Sequence, residues 1–449
     1  MKTLILAAGL GTRMNSKYPK VTHKICGKPM INWVVDTAKQ VSDEIAVVLG
    51  YGAEMVKPLL PEDVKIFFQE KQLGTAHAVM SAVDFIKTAK EVLILYGDMP
   101  LIDVETLRKL VFTHTQGKFD ATIVSTELAD PTGYGRIVRD SDGRFLKIVE
   151  EADAVEEKNI KEINTGVYVF NAQKLLEALP KVKPNNKKNE YYLTDVLAFL
   201  DKVSIFKVDN FEQFLGINNR VHLAQAEKIK RRQILEKLML SGVTIIDPDT
   251  TYVEADVVIG KDTVIYPMTF IEGKTEIGED CVIGPMTRLV NCKIGNRVSV
   301  VRSECVGVTI FDEVSVGPFS RLREGTVLHS NVKIGNFVEV KNSVIGFGTK
   351  AQHLSYLGDA TIGREVNIGA GTITCNFDGR KKNPTYIEDE AFIGSNSCLV
   401  APVTVKKGAF VAAGSVITQD VPEWSLGIAR ARQENKIGWV LRKFQKKEE

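Results

Sequence analysis

The sequence predicts an α/β domain doubly wound around an open sheet over residues 1–219, then a parallel β-helix of hexapeptide repeats over 243–449. A long helix at 220–242 joins them. Three observations carry this reading. Before residue 220, short apolar runs alternate with amphipathic stretches. Residues 220–240 form one charged, helix-like stretch. After Gly242, aliphatic residues recur every six positions.

In the first part, apolar runs at 4–8, 44–49, 92–96, 121–124 and 167–170 have strand length, and 30–41 and 75–88 have helical character. Strands alternating with helices make an open sheet whose ligands lie beyond the carboxyl ends of the strands. The connecting helix stops at Ser241-Gly242, a C-cap pair, and at ~1.5 Å per residue would span roughly 30 Å. Its basic run, Lys228-Ile229-Lys230-Arg231-Arg232, reads as a solvated helix face.

Beyond it, Ile259, Ile265, Ile271, Ile277, Ile283 and Leu289 stand six apart, as do Ile393, Leu399, Val405, Val411 and Ile417. Neither a helix nor a meander has that period. Three hexapeptides make one triangular coil, and the aliphatic residue points inward onto its equivalent about 4.8 Å away. Two stretches break the pattern by eye: 348–357, holding Lys350, His353 and Tyr356, and 375–382. A solenoid dictates its regular positions, so departures are expected to house binding or catalysis.

Composition narrows the function. A chain of 449 residues, 44% hydrophobic and 25% charged, has apolar material for two or three cores and is not a disordered chain. Lys+Arg 58 against Asp+Glu 56 leaves +2, which gives no field for nucleic acid or an anionic membrane. No run approaches the ~18 apolar residues of a spanning helix. The opening MKTLILAAGLG leads into Thr12-Arg13-Met14 without a cleavage pattern and reads as a strand, not a leader. Six cysteines without a CxxC pair read as reduced thiols, so a cytoplasmic location is expected.

Two places carry chemistry. The first strand enters Leu6-Ala7-Ala8-Gly9-Leu10-Gly11-Thr12-Arg13-Met14, a turn whose backbone N–H groups can approach a phosphate. It lacks the Gly-Lys-Ser/Thr of a Walker loop and the third glycine of a dinucleotide fingerprint. Arg13 and Lys20 suit a triphosphate. The run 92–96 ends in Gly97-Asp98, which sets a carboxylate at the binding edge as a Mg²⁺ ligand. In the repeat half, Arg323 and Lys341 lie eighteen residues apart, one full coil, and so should stack as a phosphate site. His353 nearby is a base for an amine attacking a thioester, since an ammonium is not nucleophilic.

LAAGLGTRM, Lys20, QLGTAHAV at 72–79, YGDMPLI at 96–102, GYGRIV at 133–138, IVEEADA at 148–154 and INTGVYVF at 163–170 resemble a sugar-nucleotide pyrophosphorylase. Joined to the hexapeptide half, nearly the whole chain resembles the family of bifunctional N-acetylglucosamine-1-phosphate uridylyltransferase/glucosamine-1-phosphate acetyltransferases. The resemblance implies a Rossmann-like nucleotidyltransferase domain and a left-handed β-helix. It implies that Leu6, Ala7, Ala8, Gly9, Arg13 and Lys20 bind nucleotide phosphates, and that Gln69, Gly74 and Thr75 read the uracil of UTP. Asp98 and Asn218 would hold Mg²⁺, and Gly135, Glu150, Asn164 and Asn218 the N-acetylglucosamine. In the second half it implies His353 as proton acceptor. Arg323, Lys341, Tyr356 and Asn367, with Lys382, would take glucosamine-1-phosphate. Ala370, Asn376, Phe377, Ser395, Ala413 and Arg430 would contact acetyl-CoA.

It also implies a homotrimer acting on small molecules, with neither nucleic acid nor membrane as partner. Two departures stand out: Leu10 where relatives often carry Lys, and Phe377 where they usually carry Tyr. The basic tail at 442–447 reads as a frayed end beside the coenzyme site. Two other readings use the same folds. In one, the β-helix only oligomerises a nucleotidyltransferase, which His353, Arg323 and Lys341 together argue against. In the other, the chain is a non-catalytic scaffold, which the Gly-rich loop, Lys20 and Asp98 argue against.

Overall fold

A computed structural model describes residues 1–444; the end of the basic tail, 445–449, lies outside the described residues. By its internal contacts the chain divides into Met1–Gln233 and Ile234–Glu449, so the division falls inside the connecting helix and not at either of its ends.

The first unit is built on strands β1 (Lys2–Ala7), β2 (Glu44–Leu49), β3 (Lys65–Phe68), β4 (Glu91–Tyr96), β5 (Ala121–Glu127), β6 (Gly135–Arg139), β7 (Phe145–Val149), β8 (Glu162–Asn171) and β9 (Val203–Lys207). Their order is β9-β5-β8-β4-β1-β2-β3, with the hairpin β6-β7 leaning off β8. β1 is parallel to both β4 and β2. The open, doubly wound sheet is mixed in direction, a detail the sequence leaves unspecified: β8 runs antiparallel to both β4 and β5. An apolar run records burial on two faces but not strand direction.

Both faces are covered. Leu4 and Leu6 belong to one core with Ala76 and Val79 of helix α1 (Thr75–Met80), while Ile5 and Ala7 belong to the other with Leu107 and Leu110 of helix α2 (Val104–Gly117). Successive side chains of a strand point to opposite faces, and this period of two assigns each residue to its core. The carboxyl ends of β1 and β4 therefore open at the same edge of the sheet.

Helix α3 (Arg220–Leu240) is one element shared by both units. In the first, Ala226 is buried, the Glu227 carboxylate accepts the Cys26 backbone N–H at 2.7 Å, and the Lys230 ammonium lies 4.4 Å from the Trp33 ring centre. In the second, Leu235 is buried in the β-helix core, and Ile234, Leu238 and Met239 pack against it.

The second unit is a parallel β-helix of three sheets, with eleven, ten and nine strands among the described residues. Ile259 pairs with Ile277, Ile265 with Ile283, and Ile271 with Leu289, each pair eighteen residues apart as the hexapeptide arithmetic requires. Other coils are shorter: Leu289 pairs with Cys305, and Leu328 with Ile345. The inward residues are fully buried and form one continuous core.

One of the two expected interruptions is absent. The stretch 348–357 is a regular part of the coil, in which Ala351 pairs with Ile334, Leu357 pairs with Val340, and both are buried. Ala351 hides the repeat because it is smaller than the aliphatic residues stacked on it, and the coil closes one residue early at Ile362. The other interruption is real. Ile362 pairs with Ile387 twenty-five residues on, and the extra chain protrudes as a loop tied by a bridge between Phe377 and Lys382.

Candidate active sites

At the carboxyl end of β1 the Gly-rich turn bends back over its own strand. Gly11 has φ +62°, and a Cβ there would sit 2.8 Å from Lys20 Cβ, so glycine is what lets the loop lie against Lys20. The Gly97 N–H donates to Leu6 O at 2.9 Å, which ties the turn after β4 to the turn after β1. The Ile217 N–H donates to Asp98 O at 3.0 Å and brings in the 216–218 segment. Four side chains converge as a result. Lys20 Nζ pairs with the Asp98 carboxylate and donates to Asn218 Oδ1 at 3.2 Å, while Arg13 Nη2 donates to the same oxygen at 3.0 Å.

Two cavities, of about 390 and 310 Å³, meet at this cluster and share Thr75, Tyr96, Asp98, Glu190 and Asn218. The first is lined by Leu6, Ala7, Ala8, Gly9, Arg13, Lys20, Gln69, Gly74 and Thr75. The second is lined by Gly135, Glu150, Asn164 and Asn218. All the residues singled out in the first half thus lie around one continuous space. Sequence reasoning passed over Tyr96, Tyr134, Lys188, Glu190, Tyr192 and Thr194, which also line it. Tyr96 stands inside the quoted YGDMPLI motif, where it read as the end of a core strand.

At the far end of the first cavity, Gln69 is almost fully buried, and its Nε2 donates to Gly74 O at 3.0 Å. Gly74 itself has φ +110°, and a Cβ there would meet Tyr191 O at 2.5 Å. In the second cavity, burial pushes the Glu150 carboxyl above its ordinary range, although Thr194 Oγ1 donates to its Oε1 at 3.1 Å. Gly135 keeps the wall thin there, since a Cβ would lie 3.3 Å from Glu150 Oε2. Asn164 Nδ2 donates to Tyr168 Oη at 2.6 Å, and its oxygen accepts the Gly166 N–H at 3.1 Å. Beneath this wall the buried Arg136 pairs with Glu151 at 2.8 Å.

In the β-helix the candidate residues form columns. Asn336 pairs with His353, and the same register carried forward sets Ala370, Ser395 and Ala413 beneath it, one per coil. The rungs are backbone bonds: Gly371 N–H to His353 O at 3.4 Å, Asn396 N–H to Ala370 O at 2.7 Å, and Gly414 N–H to Ser395 O at 2.8 Å. Arg430 Nη1 donates to Ala413 O at 2.8 Å, at the far end. The column between His353 and Arg430 thus carries only small side chains along three coils, about 14 Å in all. His353 Nδ1 lies 3.1 Å from Asn336 Oδ1, so that nitrogen carries the proton of a neutral ring and Nε2 is the free acceptor.

A second column sets Arg323 above Lys341, through the pairing of Leu322 with Val340. With Lys382 from the protruding loop they line an open cavity of about 450 Å³, whose wall also includes Glu324, Gly325, Asn342 and Asp359. Close approach of the Lys341 ammonium holds Lys382 below the ordinary lysine range. Arg323 is also bound to Glu339 at 2.9 Å. Asn376 Nδ2 donates to Asp359 Oδ2 at 2.5 Å and to Tyr356 Oη at 3.3 Å, which anchors the loop that presents Phe377, 62% exposed. Within the chain, His353, Tyr356 and Asn367 do not line the cationic cavity. Asn367 instead sits half-buried, facing outward on the strand Asn367–Ile368.

No helix among the described residues is long and apolar enough to cross a membrane, and all six cysteines are free thiols.

Comparison with known proteins agrees with both halves. Residues 3–188 match the MobA-like NTP transferase domain, 256–291 the bacterial transferase hexapeptide and 384–419 the hexapeptide repeat of succinyl-transferase. The chain is 64% identical over 450 residues to the bifunctional protein GlmU of Pseudothermotoga lettingae, covering 100% of each. It is 62% identical to that of Thermosipho africanus, covering 99% of this chain and 98% of the relative, and 58% identical to that of Thermotoga maritima, covering 99% of both. A nucleotidyltransferase domain and a hexapeptide transferase domain in one chain, alike over their whole length to these relatives, make this protein a member of the bifunctional GlmU family.

Proposed function

We infer that the chain acetylates glucosamine-1-phosphate with acetyl-CoA at the β-helix, then couples the N-acetylglucosamine-1-phosphate with UTP at the first unit, yielding UDP-N-acetylglucosamine and pyrophosphate. The observation that carries this is the meeting of two cavities at the Lys20–Asp98–Asn218 cluster. A bond between a nucleotide and a sugar phosphate must form where their pockets join.

In that step a sugar-phosphate oxygen attacks the α-phosphorus of UTP, the bond to the β-phosphate breaks, and pyrophosphate leaves. The attacking phosphate is already anionic and needs no base, so alignment and charge neutralisation supply the rate. Arg13, Lys20 and the Gly-rich turn hold the phosphates, Gln69 with Gly74 and Thr75 holds the uracil, and Gly135, Glu150 and Asn164 hold the N-acetyl sugar. Asp98 and Asn218 aim two oxygens at one cation, here the Lys20 ammonium. That hard, incomplete oxygen set fits Mg²⁺, which is completed by water and substrate phosphate. When bound, the ion neutralises charge on the phosphates.

In acetyl transfer, His353 Nε2 takes the proton as the sugar amine attacks the thioester carbonyl, and the CoA thiolate departs. Arg323, Lys341 and Lys382 hold the sugar phosphate with Tyr356 and Asn367, and the column Ala370, Ser395, Ala413 with Asn376, Phe377 and Arg430 holds acetyl-CoA. The hexapeptide repeats favour an oligomer, and the family resemblance makes it a homotrimer with acetyl-transfer sites between subunits, in which Asn367 would act across an interface and not in its own chain's cationic cavity. UTP and acetyl-CoA as co-substrates favour the cytoplasm.

The test is a mass-spectrometric assay of purified protein with glucosamine-1-phosphate, acetyl-CoA, UTP and Mg²⁺. UDP-N-acetylglucosamine is the expected product. Product that fails to form from glucosamine-1-phosphate but appears once N-acetylglucosamine-1-phosphate is supplied would reduce the β-helix to a scaffold and overturn the role of His353.

A further inference from the structure

Gln69 lines the nucleotide cavity, yet its amide nitrogen is already engaged. Nε2 donates to Gly74 O at 3.0 Å and lies 3.0 Å from His77 Nδ1. A backbone carbonyl can only accept, so Gly74 O fixes which end of the amide is nitrogen. His77 Nδ1 must then be the acceptor of the second N–H, and the ring carries its proton on Nε2. With both amide hydrogens taken, the side chain has only its oxygen to offer a nucleobase. His77 is half-buried on helix α1, 6.4 Å from the Tyr191 ring centre, and does not itself line the cavity.

We propose that His77 is a specificity-determining positioning residue. By accepting the second hydrogen of the Gln69 amide, it holds that amide with its oxygen toward the base, and so selects a pyrimidine that carries a donor N3–H over one whose N3 is an acceptor. Uracil and thymine have that donor. Cytosine meets the same oxygen with its own N3 lone pair, and a mismatch of two acceptors is rejected more strongly than a missing contact. The proposal rests on the reading above that Gln69 faces the base.

The experiment compares kcat/KM for UTP, dTTP and CTP in the full chain with N-acetylglucosamine-1-phosphate and Mg²⁺, using His77→Phe and His77→Gln. His77→Phe keeps a ring of similar shape but offers no acceptor. It should lower the UTP-to-CTP preference about tenfold, with UTP and dTTP falling together through KM. His77→Gln returns an acceptor and should restore much of the preference. An unchanged kcat for UTP reports that the first unit is folded, and acetyl transfer at the β-helix should be unchanged. An unaltered UTP-to-CTP ratio in His77→Phe would overturn the proposal. Gln69→Ala separates the two claims: if it too leaves the ratio unaltered, the reading of Gln69 fails, whereas loss of preference in Gln69→Ala alone sinks only the role of His77.

Discussion

The two units solve the same problem, gathering the residues of a candidate site, by opposite means. In the first, Arg13, Lys20, Gln69, Asp98, Glu150 and Asn218 come from segments unrelated by any period, and they meet because parallel strands end at one edge. In the second, Asn336, His353, Ala370, Ser395 and Ala413 occupy one position of successive coils, and strand register alone brings them together although the coils differ in length. A solenoid makes its site by repetition and a wound sheet by convergence. The first is tuned coil by coil, whereas the second moves as a whole when any one loop moves.

That contrast can be broken at its centre. Asp98→Asn removes the charge on which the convergent site turns but leaves the backbone bonds of Asp98 in place. Uridylyl transfer should fall on the order of 1,000-fold while CoA release from acetyl-CoA is untouched. Near-normal UTP turnover would refute the assignment. His353→Ala is the mirror experiment and should cost acetyl transfer on the order of 100-fold or more, with UDP-N-acetylglucosamine still formed from the acetylated sugar phosphate. Equal loss of both activities would mean a damaged fold instead.

A smaller effect sharpens the stacked-cation argument. Lys341 holds Lys382 below the ordinary lysine range, so Lys382 is charged only below that lowered value and loses its charge as pH rises through it. KM for glucosamine-1-phosphate should therefore begin to climb at a lower pH than an isolated lysine would allow, and Lys341→Met should move the onset upward. A climb at the same pH in both proteins would show that the two ammoniums do not sense each other. The smallest change is Phe377→Tyr, which returns a hydroxyl to an exposed ring and should lower KM for acetyl-CoA about threefold.

The legibility of each half follows from the same contrast. The six-residue period reveals the β-helix through two runs whose inward positions hold Ile, Leu or Val; between them coils shorten, and Cys305, Ala351 and Thr374 take inward positions. Ala351 made 348–357 look like an interruption and credited His353 to a loop when it sits in a regular coil. The protruding loop, read as 375–382, was legible because twelve residues separate the inward Thr374 from Ile387 where the repeat calls for five. In the first unit the sites were legible through short motifs and not through pattern. Residues beside the motifs, such as Tyr192 and Thr194, had nothing in the sequence to lift them out of an ordinary loop. The reversed direction of β8 was equally hidden, since its neighbours bury it on both faces whichever way it runs.

Helix α3 bears on how the two activities can be taken apart. Ending the first unit at residue 219 would strip Glu227 from the Cys26 amide and Lys230 from the face of Trp33. Starting the second at 241 would uncover the apolar floor on which Leu235 and Leu238 rest. The first half uses the helix as far as Lys230, and the second takes it up at Ile234. A cut that leaves each half its own contacts therefore falls inside the helix, and the seam between the two enzymes runs between Gln233 and Ile234, not through a loop at either end.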